Sequence, residues 1–315
     1  MFEMWENYPE IKNDLNNVKK LITKKINSGQ KTIDQSILEL LNSGGKLIRP
    51  AFVLLGDNFG NEKSDDIYKL ASIVELLHMA TLIHDDIIDN SNKRRGIKTT
   101  HLKYGNKNAV FVGDYLFTVC FDLLTDTYSN KEMKLLSKVI SNICLGEIKQ
   151  NNFKNQANIS VFSYLKMISN KTAALFSLSL FIGGYVSNAN KKTLLYLRKL
   201  GYYIGMAFQI QDDILDFTGD EFILGKDLGN DLKENFYSIP IIYYLEENPN
   251  QRDILFDSKI NIIINKVNDS NAIYNSKKLA NKYISKAQKI LNKLPDNISK
   301  NVLKDIIKKL SEREY

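Results

Sequence analysis

Apolar residues return every third or fourth position along almost the whole 315-residue chain, and that period is the strongest constraint on what it can fold into. Leu70, Ile73, Val74 and Leu77, followed by Leu82, trace one such stripe. A repeat near 3.6 is the α-helical one. Runs that alternate apolar and polar residues between hairpin turns, the mark of half-buried strands, are absent. The spacing predicts helices near 10–27, 32–43, 46–58, 64–89, 107–128, 131–157, 160–169, 172–186, 190–217, 236–247, 251–267, 271–293 and 296–312. The breaks fall at "SGQKT", "SGG", "NSNKRRGIKT", "TGDEFILGKDLGND" and "ENPNQ". Each carries Gly, Asn, Asp or Pro, residues that tolerate turn geometry. No shift in composition marks a boundary, so a single all-α domain over 1–315 is expected.

With 43% hydrophobic and 25% charged residues, the chain has the balance of a globular protein with a large core. The net charge of +7 comes mostly from lysines near the ends, as in "KKLITKK" and "LKDIIKKL", set at helical spacing between apolar residues. That pattern reads as solvated helix faces, and no zinc pattern, basic arm or aromatic-basic interleave supports nucleic-acid binding. Cys120 and Cys144 lie in apolar helical contexts and are expected as buried free thiols in a reducing cytosol. "MFEMWENYPEIKND" has no signal-peptide pattern, so a cytoplasmic protein is expected. "TAALFSLSLFIGGYV" is short for a membrane span and reads as a buried helix.

Two short stretches carry the chemistry. "HDDIIDNSNKRRG" places Asp85, Asp86 and Asp89 at the end of an apolar helix, with Arg94 and Arg95 just beyond. On a helix, positions i and i+4 are only about 40° apart, so Asp85 and Asp89 stack on one face. Like charges at that spacing oppose the helix, and the C-terminal end of the macrodipole disfavours anions further. A divalent cation reverses both penalties, and hard carboxylate oxygens suit Mg²⁺. A solvated acidic helix end is the other reading of one isolated cluster.

The second stretch repeats the first. "QIQDDILDF" sets Asp212, Asp213 and Asp216 at the same spacing, closing the apolar "YYIGMAFQI". If the two helices face one another, six carboxylates line one cavity, and several Mg²⁺ ions make it a diphosphate clamp. Arg94 and Arg95 are forked donors suited to phosphate. "SGGKLIRP" adds Lys46 and Arg49, three apart at a helix start. Taken alone, those two also suit an ordinary surface pair. Only three histidines occur, His78, His84 and His101, and none has a zinc spacing.

In combination these motifs resemble the trans-type isoprenyl diphosphate synthases. "GGKLIRP", "ELLHMATLIHDDIIDNSNKRRG", "GDYLF", "NKTAALF", "GMAFQIQDDILDFTGDEFILGKDLGNDL" and "SIPIIY" occur in the family's order, over roughly residues 40–245. The resemblance implies an all-α, isoprenoid-synthase-type bundle around a deep cavity, and head-to-tail joining of isopentenyl diphosphate to an allylic diphosphate with Mg²⁺. By that resemblance Asp85, Asp86, Asp89, Asp212, Asp213 and Asp216 hold metals on the allylic diphosphate, which Arg94 also contacts. Lys46, Arg49, His78 and Arg95 bind isopentenyl diphosphate. Lys171, Thr172, Gln209 and Lys226 meet the allylic substrate and the intermediate cation. For Thr172 and Gln209 a helix–helix hydrogen bond is an equal reading from the residues alone. His84 is open between ligand contact and structure, and His101 reads as structural.

Asp227 stands where members of the family often carry Pro, and Asn235 where many carry Gly; Asn tolerates positive φ, so the turn there can survive. Ala80 and Thr81 precede the first aspartates by about one helical turn, where short-chain members are similar to a floor of bulky aromatics. Both are small here, which implies a tunnel open to a growing chain. "ELLHMATLIHDDIID" is particularly similar to the catalytic subunits of heptaprenyl diphosphate synthases, which pair with a small unrelated subunit. The expectation is therefore a medium- or long-chain polyprenyl diphosphate synthase, acting as a homodimer or with such a partner. Short-chain synthesis and a non-catalytic subunit are the alternatives.

Overall fold

A computed structural model describes residues 3–126, 129–154, 159–219, 228–251 and 259–312. The described residues are helical almost throughout, as the 3.6-residue period requires. They group into two compact units, Met1–Leu136 with Ser179–Leu194, and Ser137–Leu178 with Leu195–Tyr315.

The first unit is built from α1 (Pro9–Lys25), α2 (Lys31–Asn42), α3 (Ile48–Asp57), α4 (Ile67–Ile88), α5 (Thr100–Tyr104) and α6 (Asn106–Thr125). Helix α4 is its axis, packed most extensively on α6 and also on α3 and α1. Leu70, Ile73, Val74, Leu76 and Ala80 of α4 are wholly buried, and Leu15, Val18, Ile22, Phe52 and Leu55 close over them. Helices α4 and α6 are long and apolar enough to cross a bilayer by length and composition, but 67% of the most apolar stretch of α4 is buried inside the fold.

Between α4 and α5 the chain makes one small hairpin that no alternating pattern announces. Strands β1 (Lys93–Arg94) and β2 (Ile97–Lys98) pair antiparallel, with Arg94 opposite Ile97. The two loop residues, Arg95 at φ 51° and Gly96 at φ 80°, both take the left-handed conformation of a type I′ turn. Strands of two residues are too short to show a period, so only the Arg-Gly pair signals the turn.

Helices α7 (Asn130–Phe153), α9 (Ala174–Val186) and α10 (Lys191–Thr218) each have residues in both units. The second unit also holds α8 (Val161–Ile168), α11 (Asn230–Lys233), α12 (Ile239–Glu247), α13 (Ile260–Asn268), α14 (Ala272–Leu291) and α15 (Ile298–Ser311). Helix α14 packs on α12 and α15. Capping follows sequence in places: Ser160 accepts from the Ser163 amide at 3.1 Å, and Asn297 from the Lys300 amide at 2.8 Å.

Several boundaries differ from the spacing. The helix expected over 236–247 is α12, which starts later, at Ile239, because Asn235 turns the chain at φ 55° and Pro240 opens the helix; the short α11 precedes that turn and was not expected. The break expected between 169 and 172 is instead a single π turn, Ser169–Ala173, joining α8 to α9 without interruption. Cys120 is buried as expected, but Cys144 is exposed on α7.

Truncating Leu76, wholly buried in α4, to alanine is expected to lower the free energy of unfolding by about 2–5 kcal/mol, read as a lower denaturant midpoint.

Candidate active site

Helix α4 carries the first aspartates on a face that the fold leaves accessible. His78, Thr81, Leu82, Asp85 and Asp89 are half-buried, whereas Met79, Ala80, Ile83 and Asp86 are buried. His78, Thr81 or Leu82, Asp85 and Asp89 step by three and four along one stripe of the helix, and near its end His84, Ile87 and Ile88 are accessible as well. Asp85 and Asp89 thus lie on the open stripe, one turn apart. Asp86 points inward, 3% exposed, and meets Arg94, whose Nε and Nη2 both donate to its Oδ1 at 2.9 and 2.5 Å. Burial pushes the Asp86 carboxyl up, and the Arg94 guanidinium opposes that. Asn90, at φ 46°, ends the helix and sends the chain into the hairpin that returns Arg94 to Asp86.

The cations of the first unit gather beside this stripe. In "SGGKLIRP" the chain passes Gly44 at φ 102° and Leu47 at φ 49° before α3 begins. Trp5, fully buried, donates its indole N–H to the Lys46 carbonyl at 2.7 Å and pins this strained turn. Arg49 Nη1 donates to His78 Nε2 at 3.0 Å. Burial, then Arg49, Arg95 and Arg94, hold the His78 imidazolium far below its usual range. His78 is therefore neutral, with Nε2 the acceptor and Nδ1 carrying the proton. The Arg95 guanidinium lies against Gly45, where a Cβ would stand 2.3 Å from its Nη1. The GGK turn and the RRG hairpin, far apart in sequence, thus meet at Gly45 and Arg95. Lys46 is exposed.

Ala80 and Thr81 differ in setting. Ala80 is wholly buried; Thr81 is half-buried on the open stripe, with its hydroxyl donating to the His78 carbonyl at 2.9 Å. His84 stands beside α6, Nε2 3.3 Å from the Val110 carbonyl and 3.5 Å from Asp114, over the Phe117 ring. His101 is buried, as its structural reading implied.

In the second unit a four-residue ladder on α10 builds the site. Gly201, Gly205, Gln209 and Asp213 form one column. A Cβ at Gly201 would lie 2.4 Å from the Phe176 carbonyl oxygen, and one at Gly205 2.7 Å from Ala173 Cα, so the two helices touch backbone to backbone. That approach brings the π turn to Gln209. Thr172 donates to Gln209 Oε1 at 2.7 Å, Gln209 Nε2 donates to Asp213 Oδ1 at 2.9 Å, and Tyr164 donates to Asp213 Oδ2 at 2.6 Å. Both oxygens of Asp213 are engaged by the protein, while Asp212 is half-buried beside it. Asp216 is buried and receives the Asp231 amide at 3.4 Å. Burial raises the Asp213 carboxyl to about 7, and the Tyr164 and Gln209 bonds restrain the rise. Lys171, the other side chain presented by the π turn, donates to Glu147 of α7 at 2.8 Å. Trp5, Tyr164 and Glu147 went unread in the sequence; each sits in a helical stripe with no motif of its own. Lys226 and Asp227 lie outside the described residues.

Carboxylates at the ends of two buried helices, with forked cations held ready near the first, are the apparatus of a helical protein that handles diphosphates. The polyprenyl synthetase family pattern matches residues 30–278. Component 2 of heptaprenyl diphosphate synthase from Bacillus subtilis is 35% identical, over 98% of this chain and 90% of its own length. The crystal structure of heptaprenyl diphosphate synthase from Staphylococcus aureus superposes with a TM-score of 0.93 at 36% identity, covering 97% of this chain and 99% of that one. A polyprenyl synthase from Caulobacter crescentus, solved with calcium and isoprenyl diphosphate, gives 0.91 at 30% identity, with 96% of each chain covered. The chain belongs to the polyprenyl synthetase family. It is an all-α prenyltransferase of isoprenoid biosynthesis that elongates trans-prenyl chains, in a family that uses a divalent metal.

Two outcomes follow from the α10 ladder. Gly205→Ala should force α10 off the π turn, costing about 1–3 kcal/mol of stability with loss of activity, read by denaturation and turnover. The folded-state pKa of Asp213 lies above the unfolded value, so the folded chain binds more protons than the unfolded chain between them. In EDTA, stability should therefore fall as pH rises from 3.8 to about 7. Asp213→Asn should make that fall shallower by removing the contribution of this one carboxyl.

Proposed function

We propose that the chain condenses isopentenyl diphosphate head-to-tail with an allylic diphosphate, such as farnesyl diphosphate, to make a medium- or long-chain all-trans polyprenyl diphosphate for quinone side chains. The accessible face of α4 supports this reading: the position one turn below Asp85 is Thr81, a small side chain at half-exposure, so α4 itself sets no bulky group at that level.

Mg²⁺ fits the donors. Among the described residues no three His, Cys, Asp or Glu side chains form a closed metal set. Mg²⁺ ordinarily takes one or two carboxylates and completes its shell with water and substrate oxygens. Asp85 and Asp89, and Asp212 with Asp216, are the side chains that would hold it. Asp86 and Asp213 serve them indirectly, one locking Arg94 and the other locking Gln209 and Tyr164. When bound, the ions supply positive charge against the leaving diphosphate.

The protein's own groups do the rest. Arg49, held by His78, and Arg95, held at Gly45, with Lys46 exposed beside them, bind the isopentenyl diphosphate. Arg94 and Lys171 bind the allylic diphosphate. The allylic C–O bond breaks, the isopentenyl double bond attacks the allylic cation, and the departing diphosphate takes the proton that is lost. Thr172 and Gln209 present oriented dipoles to the cation, and the apolar walls keep water from quenching it.

A heteromeric enzyme is the second reading, favoured by the name "component 2" of the Bacillus subtilis relative. In it this chain carries the chemistry and a small partner completes it; a homodimer is the alternative assembly. The enzyme is placed in the cytoplasm.

The test is incubation of the purified chain with Mg²⁺, farnesyl diphosphate and labelled isopentenyl diphosphate, followed by sizing of the products. A ladder extending past twenty carbons supports the long-chain reading. Products ending at or below twenty carbons refute it. Asp85→Ala and Asp212→Ala should each lower turnover by roughly 10²-fold or more with helicity intact; full activity in either sinks the metal reading. Thr81→Phe should shorten the products, and unchanged products would refute the open path.

A further inference from the structure

Tyr164 is a wholly buried phenol that the reaction as proposed does not use. It stands on α8, and its O–H donates to Asp213 Oδ2 at 2.6 Å. Burial, then Asp213, holds the phenol well above the usual tyrosine range, so the proton stays on Tyr164. Two more donors meet the same carboxyl: the Gln209 amide, at 2.9 Å from Oδ1, and the Ile239 backbone N–H at the start of α12. Asp213 is the acceptor of all three.

That acceptor gives its neighbours a direction. Gln209 turns its NH2 to Asp213, so Oε1 is the end that meets Thr172. The Thr172 hydroxyl donates its one proton to Oε1 at 2.7 Å, and the lone pairs of its oxygen face away from Gln209. A reversed amide would set Oε1 against the carboxylate and NH2 against Thr172. Each dipole in the chain thus turns its negative end away from Asp213, and successive dipoles polarise one another. The π turn makes this chain possible. Tyr164 and Thr172 are eight residues apart on α8 and the π turn that continues it. On an unbroken α-helix they would point about 80° apart, whereas the extra residue of a π turn takes back up to about 100°. Both side chains therefore reach α10, one at Asp213 and the other a turn earlier at Gln209.

Asp213 is buried, and without the Tyr164 hydroxyl its Oδ2 has no donor from α8. The carboxyl then turns to divide Gln209 and Ile239 between its oxygens, and the amide loses its fixed direction. We infer that Tyr164 is a positioning residue for the prenyl-transfer step: through Asp213 it sets the direction of the Gln209 amide, and through Gln209 it keeps the lone pairs of Thr172 turned to the allylic cation. The inference rests on the reading above that Thr172 and Gln209 face that cation. A dipole held in this way acts on charge that develops only as the allylic C–O bond breaks. Its loss lowers kcat and leaves substrate binding alone.

The test is steady-state kinetics of the full chain with farnesyl diphosphate and isopentenyl diphosphate, on wild type, Tyr164→Phe, Thr172→Val and the double variant. Each substrate and Mg²⁺ are varied in turn, and helicity is measured alongside. Tyr164→Phe should lower kcat about tenfold, with both KM values and the Mg²⁺ concentration for half-maximal rate within about twofold of wild type. In the Thr172→Val background the same change should lower kcat by less than about twofold, because the chain ends at Thr172. An unchanged kcat in Tyr164→Phe overturns the inference. So does a raised KM or Mg²⁺ requirement in place of the kcat loss, and so does a full tenfold loss on top of Thr172→Val. If Tyr164→Phe loses helicity, Gln209→Met decides, since that half-buried side chain links Asp213 to Thr172. A loss confined to kcat there supports the inference, and an unchanged kcat overturns it. Wild type that forms no product from the two substrates overturns the functional reading and this inference with it; an active wild type matched by Tyr164→Phe overturns this inference alone.

Discussion

Helix α4 is mostly apolar along its buried length, and its position decides where the first aspartates stand. Leu70, Ile73, Val74, Leu76 and Ala80 are wholly buried against α1, α3 and α6. Burial of several large apolar side chains, each worth about 1.5–3 kcal/mol, outweighs the tenths of a kcal/mol by which like charges one turn apart oppose a helix. The helix can therefore end in three carboxylates and remain a helix. His78, Thr81, Leu82, Asp85 and Asp89 are among the positions the packing leaves accessible.

In each unit, charged side chains assigned to the site have partners. Arg94 lies on Asp86, Arg49 on His78, and Lys171 on Glu147. The chain thereby holds its forks and its ammonium in place before any diphosphate arrives, which lowers the ordering cost of binding. The backbone is arranged to the same end. Positive φ at Arg95 and Gly96 turns the hairpin back. Trp5 fixes the turn ahead of Arg49 from a distant point in the chain.

Much of this was legible from residue order. The helical period foretold an all-α chain, and the repeated D-D-x-x-D spacing, with "GGKLIRP" and "RRG", foretold carboxylates and cations suited to diphosphate. The family assignment agrees with both. Asn235 in the place of a glycine keeps its turn at φ 55°, as the tolerance of asparagine allowed. The illegible parts share a cause. Strands of two residues have no period to detect, a π turn differs from a helix break by a single hydrogen-bond register, and α11, four residues long, is too short to show an apolar stripe. Tyr164 and Glu147 were hidden because a polar residue on a helix declares its partner only when another helix is set against it.

The sequence by itself determined the class of fold and the chemical kind of the site, because periodicity and the spacing of charges are local properties of a helix. Only the tertiary structure decided which aspartates are half-buried and which are buried, that Thr81 and not Ala80 is accessible, and that the GGK turn meets the RRG hairpin. Those outcomes depend on which helices touch and in what register, and at Gly201 and Gly205 that register is set by the absence of a side chain.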